Sequence, residues 1–314
     1  MTISVCMIVK NEEKNLTGCL DCLKQVADEI VIVDTGSTDR TKEIAAGYTD
    51  KVYDFAWVDD FSAARNFAFS KATMDYIYSA DADERLDEEN QKKFLQLKEA
   101  LLPEVEIVQM YYCNQLEHNT IYSFDKEYRP KLYKRIRQFT WQERIHEAVA
   151  LDPVVYDSDI EIIHKPHDNH GSRDLQIFTK MIENGEMISQ RLREIYAKEL
   201  YIAGKESDFE NAEAFFINWV EETTDEEELK QAACVLARFY RMKKMDAEFF
   251  KYALKVTALN SCSEMCYELG EYYMERKDFK EAAMWYFNAA NETQALLSLS
   301  YQEELPKKRL AELQ

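Results

Sequence analysis

A change of pattern near the middle of this chain constrains its fold more than any other feature. Up to about residue 165, short runs of β-branched and apolar residues alternate with amphipathic stretches; from Arg173 onward only helical periodicity continues. Alternating strands and helices predict a mostly parallel sheet with helices on its faces, and the unbroken helical pattern predicts an all-α half. The expected domains are residues 1–170 and 171–314, in keeping with about two domains for 314 residues.

In the first half, residues 3–9 read as a strand, Lys10 to Asn15 as a loop, and Leu16, Cys19, Leu20, Leu23 and Val26 as the apolar face of a helix. A second strand over 29–33 runs into Asp34-Thr35-Gly36-Ser37-Thr38-Asp39, followed by a helix over 41–47 and a strand over 51–55. Ligands of such sheets bind beyond the carboxyl ends of the strands, which places Lys10, Asn11, Glu12 and the Asp34 turn at the expected site. Neither G-x-G-x-x-G nor G-x-x-x-x-G-K-[ST] occurs, so a dinucleotide fingerprint and a P-loop are both excluded. Two readings of Asp34 stay open: it accepts from a uracil N–H or a ribose hydroxyl, or it caps the next helix.

The decisive segment is the apolar run 74–80, which delivers Asp81-Ala82-Asp83-Glu84 to a strand end. Residues i and i+2 of an extended backbone face the same way, so Asp81 and Asp83 share one pole of the sheet. Paired carboxylates there suit a hard cation, Mn²⁺ or Mg²⁺, bridging protein to a diphosphate. A second D-x-D, Asp157-Ser158-Asp159, lies in a less patterned stretch and reads as a chance copy in an acidic chain.

Composition narrows the function classes. A net charge of −20 excludes a general grip on nucleic-acid backbones or anionic membranes, and an anionic ligand must be met by a metal or a local basic pocket. With 46% hydrophobic residues and only 7 Gly and 5 Pro, nearly all of the chain is expected to fold. Seven scattered Cys read as reduced thiols, Cys19-x-x-Cys22 included. No secretory leader pattern opens the sequence and no apolar run is long enough for a membrane span, so a cytoplasmic protein without membrane insertion is expected.

Four ordered segments, Ser4-Val5-Cys6-Met7-Ile8-Val9-Lys10-Asn11-Glu12, Ile32-Val33-Asp34-Thr35-Gly36-Ser37-Thr38-Asp39, Phe61-Ser62-Ala63-Ala64-Arg65-Asn66 and Asp81-Ala82-Asp83-Glu84, together resemble bacterial family 2 glycosyltransferases of the GT-A fold. The subgroup most similar joins such a domain to tetratricopeptide repeats and includes peptide S-glycosyltransferases that modify bacteriocins. The resemblance implies inverting transfer from a UDP-sugar to a peptide, protein or glycan acceptor with Mn²⁺ or Mg²⁺. By position it implies that Val9, Lys10, Glu12, Asp34 and Thr35 hold the uridine and that Arg65 lies near the nucleotide. Asp81 would face the ribose or metal, and Asp83 the metal and diphosphate. Many relatives carry two acids where this chain has Asp34-Thr35, which leaves the uracil contact open. Downstream, Tyr128 to Arg135 is basic and is followed by Trp141-Gln142-Glu143-Arg144-Ile145-His146-Glu147. The resemblance makes His146 a third metal ligand and Glu147 the base that deprotonates the acceptor, with His164 the rival ligand. The cluster Lys131, Lys134, Arg135 and Arg137 is either a solvated face or an attractor of diphosphate or an acidic acceptor.

The second half carries a 34-residue repeat frame: Cys266-x₂-Leu269-Gly270-x₂-Tyr273, then Ala282-x₃-Tyr286 and Ala289. Leu236-Ala237-x₂-Tyr240 and Leu200-Tyr201 begin earlier copies, and roughly three units suffice to bury each other's apolar faces. A homodimer through these helices is compatible with the pattern. Two other functions stay open: a catalytically inactive scaffold that binds nucleotide-sugar and a protein partner, and a nucleotidyltransferase that releases pyrophosphate.

Overall fold

The computed structural model describes residues 1–114, 126–149, 152–165 and 171–313, and the chain divides into two compact units, Met1–Asn169 and His170–Gln314. The basic stretch from Tyr128 is described; His167 and His170, lesser ligand candidates in the sequence, lie outside the described residues.

The first unit is built on an eight-stranded, mostly parallel GT-A-like sheet. Its strands are β1 (Ile3–Val9), β2 (Glu29–Asp34), β3 (Val52–Asp54), β4 (Tyr76–Ala80), β5 (Glu84–Arg85), β6 (Ile107–Asn114), β7 (Lys126–Lys134) and β10 (Val155–His164). Their order is β3-β2-β1-β4-β7-β6-β10-β5. Strands β3, β2, β1 and β4 run parallel, as do β6 and β10, while β7 is antiparallel to both β4 and β6. A small ribbon, β8 (Trp141–Gln142) with β9 (Ala148–Val149), follows β7.

Side-chain alternation splits the sheet between two cores. Val5, Met7 and Val9 of β1 pack with Leu16, Cys19, Leu20 and Leu23 of helix α1 (Leu16–Leu23) and with Phe94 of α4 (Glu88–Ala100). Cys6, Val31, Val33 and Ile77 point to the other face, against Ala68 and Phe69 of α3 (Phe61–Lys71) and Trp141 of β8. Leu16 and Leu20 are wholly buried, and each such side chain contributes about 1.5–3 kcal/mol. The short helix α2 (Thr41–Ala46) links β2 to β3. Helix α3 starts where the Asp60 carboxylate accepts from the Ala63 N–H at 2.9 Å, and α4 where Asp87 accepts from Asn90.

The parallel strands β1, β2 and β4 end together at Val9, Asp34 and Ala80, so the loops after them meet at one pole. Asn11 binds Ser37 and Thr38, Glu12 N–H donates to the Thr41 hydroxyl at 2.7 Å, and the Cys19 thiol donates to the Asp81 carbonyl at 3.3 Å. The second D-x-D falls within β10, where the register shifts between Asp157 and Glu161, and both its carboxylates are exposed.

The second unit is all helical: α5 (Gly171–Glu183), α6 (Gln190–Ala203), α7 (Glu206–Glu222), α8 (Glu226–Met242), α9 (Asp246–Thr257), α10 (Ser263–Glu275), α11 (Phe279–Asn291), α12 (Ser300–Glu303) and α13 (Leu305–Glu312). Helices α8/α9 and α10/α11 are hairpins in series, while α7 packs on α8 and α6 on α5 and α8. Gly270 permits the closest approach, because a Cβ there would lie 2.5 Å from the Tyr286 ring. Cys266, Leu269, Ala282, Tyr286 and Ala289 are all buried. Among the described residues no helix is long and apolar enough to cross a membrane.

Candidate active site

At the end of β2, Asp34 is 2% exposed and its Oδ1 accepts from the backbone N–H groups of Gly36 and Ser37, both at 2.9 Å. The turn needs Gly36, whose φ of +104° suits a residue without a Cβ. Asp34 Oδ2 is buried and accepts nothing from the described residues. A buried acceptor left unpaired costs about 1–3 kcal/mol, so this oxygen is suited to an incoming donor. Asp34 does not cap α2; the Thr41 N–H is taken by Asp39 at 3.0 Å. Thr35 is buried with both its N–H and its hydroxyl on the Val9 carbonyl, so its side chain holds the strand ends together. Lys10 is exposed beyond β1. Glu12 accepts from the Asn15 side chain at 2.9 Å, and burial together with repulsion from Asp83, Asp39 and Asp81 raises its pKa.

Asp81, Asp83 and Glu84 stand in three different environments. Asp81 faces two cations: Arg65 Nη2 lies 2.9 Å from Oδ1, and Lys131 Nζ lies 3.6 Å from Oδ2. Burial alone would raise its pKa, but these two charges hold the carboxyl well below the usual range. Glu84 is 2% exposed and bonded to Lys131 Nζ at 2.6 Å. Burial, opposed by Lys131 and aided by Asp81 and Asp83, pushes it up to about 8. Asp83 instead pairs with His164, with Nε2 3.1 Å from Oδ2. This pairing follows from register, because β10 lies antiparallel to β5 with His164 opposite Glu84, and Lys165 N–H donates to the Asp83 carbonyl at 2.9 Å.

The structure joins Asp83 to His164 rather than to His146. Neither Asp81, Asp83 and His146 nor Asp81, Asp83 and His164 has its ligand atoms all within 4.8 Å of one another. One carboxylate oxygen and one imidazole nitrogen make a donor pair that would fit a divalent cation. His146 has a left-handed backbone, with φ of +49°, in the loop before β9.

Arg65 is the hub of the opposite wall. Its guanidinium binds Glu147 and Asp81, donates to the Ser79 hydroxyl at 2.9 Å, and lies 5.2 Å from the Trp141 ring centroid. Burial opposes its charge, and Asp81 and Glu147 overcome that and raise its pKa. The Glu147 side chain is 11% exposed. The motif at 61–66 also docks the stretch at 141–147. Phe61 N–H donates to the Arg144 carbonyl at 2.8 Å, the Ser62 hydroxyl to the Glu143 carbonyl, and Asn66 exchanges two bonds with the Trp141 backbone at 2.8 and 3.0 Å. Sequence reading did not link these segments, nor did it separate Lys131 from its basic neighbours. Lys131 is 5% exposed, whereas Arg135 and Arg137 are exposed.

Residues 4–151 match the family model described as Glycosyl transferase family 2. The chain is 49% identical over 84 residues to a TPR repeat-containing protein of Synechococcus elongatus, a match covering 27% of this chain and 21% of that protein. It is 36% identical over 102 residues to the SPbeta prophage-derived glycosyltransferase SunS of Bacillus subtilis, covering 32% of this chain and 24% of that one. The chain thus matches about a quarter or less of the length of either relative. Among solved structures, S. aureus TarS 1-349 in complex with UDP-GlcNAc is 16% identical with a TM-score of 0.42, covering 93% of each chain.

Proposed function

We propose, from the premise that the N-terminal unit is a glycosyltransferase family 2 domain, that this chain moves a sugar from a UDP-sugar to a peptide, protein or glycan acceptor with inversion. The observation that carries the reading is the pole of the sheet, where the unpartnered Asp34 Oδ2 stands at the end of β2 and the Asp83–His164 pair joins the turn after β4 to the end of β10. In this reading Asp34 Oδ2 accepts the uracil N–H, and the backbone around Val9, Lys10 and Thr35 borders the nucleoside. Asp83 and His164 would hold a divalent cation, Mn²⁺ or Mg²⁺, which would supply positive charge at the diphosphate. Asp81, already neutralised by Arg65 and Lys131, faces the ribose. Glu147 takes the proton from the acceptor nucleophile as that atom bonds to the anomeric carbon and the bond to UDP breaks, so UDP leaves with both electrons. The helical unit recognises the acceptor.

The test is calorimetry of UDP, UDP-glucose and UDP-N-acetylglucosamine with and without Mn²⁺, followed by assay of UDP release. Metal-dependent binding with slow release of UDP to water supports the reading. Binding without release under any acceptor mixture points to a non-catalytic scaffold, pyrophosphate release from a sugar phosphate points to a nucleotidyltransferase, and no binding refutes the donor assignment.

A further inference from the structure

Lys131 and Glu84 form a hydrogen-bonded pair that the proposed reaction does not use, and its placement is unusual. Both side chains are nearly inaccessible, at 5% and 2% exposure. Such a pair is a poor device for stability, because taking both polar groups out of water offsets most of their attraction. Its geometry points to a different purpose. The turn from Asp81 to Glu84 is closed by two reciprocal bonds, Glu84 N–H to the Asp81 carbonyl at 3.1 Å and Asp81 N–H to Glu84 Oε2 at 3.3 Å. The other oxygen, Glu84 Oε1, accepts from Lys131 Nζ at 2.6 Å, and the same ammonium lies 3.6 Å from Asp81 Oδ2. Lys131 is carried by β7, whose next residue, Leu132, pairs with Tyr78 of β4, so the cation is fixed to the strand that delivers the turn. The Tyr78 and Tyr112 rings, each 5.8 Å from Nζ, enclose it.

We propose that Lys131 and Glu84 are positioning residues that hold the Asp81–Asp83 turn in its donor-binding shape. The ammonium fixes the Glu84 carboxylate against the turn's backbone and turns the Asp81 carboxylate toward itself and Arg65, which leaves Asp83 to pair with His164. A long, exposed cation could not do this; the pair is buried so that the turn has one conformation. The consequence for donor binding rests on the proposed UDP-sugar reading, whereas the ordering of the turn does not.

The experiment combines hydrogen exchange by mass spectrometry over peptides spanning residues 79–86 with Mn²⁺-dependent UDP calorimetry, on the full chain and on K131M, K131R and E84Q/K131M. In K131M, exchange at the Asp81 and Glu84 amides is expected to rise roughly tenfold or more with β1 and β2 unchanged. The UDP dissociation constant is expected to rise by about a factor of ten, and K131R is expected to recover part of both. Should K131M not fold, the double variant, which leaves no unpaired charge, carries the same two readouts. Unchanged exchange in the turn overturns the proposal, as does loosening spread across β1 and β2, or a loosened turn with undiminished UDP affinity. If the wild-type chain does not bind UDP, the donor reading fails, and the exchange result alone decides whether the pair orders the turn.

Discussion

Arg65→Met removes a cation shared by Asp81 and Glu147. Arg65 is 14% exposed at its side chain and Glu147 11%, so that ion pair is shielded from water, whereas Asp81 at 35% is partly screened and keeps Lys131. Breaking a buried pair from one side costs about 3–5 kcal/mol, and the screening of Asp81 places the expected loss at the lower end, about 3 kcal/mol. For a unit of this size, that corresponds to a fall of roughly 6–12 °C in its melting temperature. The pH dependence carries a sign. The Asp81 carboxyl is depressed in the folded state, so its contribution is present above its unfolded value near about 4 and is lost as pH falls through the folded value. Arg65 is a main cause of that depression, so the deficit of Arg65→Met should be largest near neutrality and shrink toward and below about pH 4. Urea melts of the first unit from neutral to acid pH read this directly. A deficit that stays constant across that range, or a loss well under 1 kcal/mol at neutrality, would refute the charge-hub reasoning.

Other outcomes follow from the same geometry. His164→Ala should weaken Mn²⁺-dependent UDP binding by about tenfold or more, while His146→Ala leaves the metal dependence intact; calorimetry with the reverse ranking would restore His146 as the ligand. Asp34→Ala should cost UDP about 1–3 kcal/mol and reduce discrimination against CDP, measured by competition; equal affinities in wild type and variant would remove Asp34 from the base contact. Glu147→Gln should slow UDP release severely while UDP binding persists, and full release rates would take Glu147 out of the base role. Gly270→Ala sets a helix gain of about 1 kcal/mol against overpacking of about 1–3 kcal/mol on the Tyr286 ring, so the helical unit should lose up to about 2 kcal/mol in a melt; a stabilised variant would show that the two helices can part at that point.

The parts of this molecule legible in its sequence are those that a local period encodes. The apolar run of β4 ends at Ala80 because the next residues are charged, and that alone places Asp81 and Asp83 at the pole of the sheet. Leu269-Gly270-x₂-Tyr273 marks a helix hairpin because its small residue and its aromatics must meet at fixed spacing. What local pattern does not encode is which strand lies beside which. The insertion of β7 between β4 and β6 is a long-range choice, yet it decides that Lys131 is buried beside Glu84 while Arg135 and Arg137 stay in water. The antiparallel pairing of β5 with β10 likewise decides that His164, and not His146, reaches Asp83.

One signal was present and unread. Asp81, Asp83 and Glu84 put three carboxylates within four residues of a buried strand, and such a cluster cannot fold without cations brought from elsewhere. Such charge calls for basic residues at the pole, and Arg65, between Ala64 and Asn66, and Lys131, before Leu132 and Tyr133, are two whose flanks suit a buried setting. Both are the residues that the structure places on Asp81. The same reasoning explains why the motif at 61–66 is bonded to the stretch at 141–147. An arginine recruited to balance Asp81 has a planar fork with donors to spare, and the remaining ones draw in Glu147. The position of the proposed base is therefore a consequence of neutralising the acidic turn, and one guanidinium ties Glu147 to Asp81.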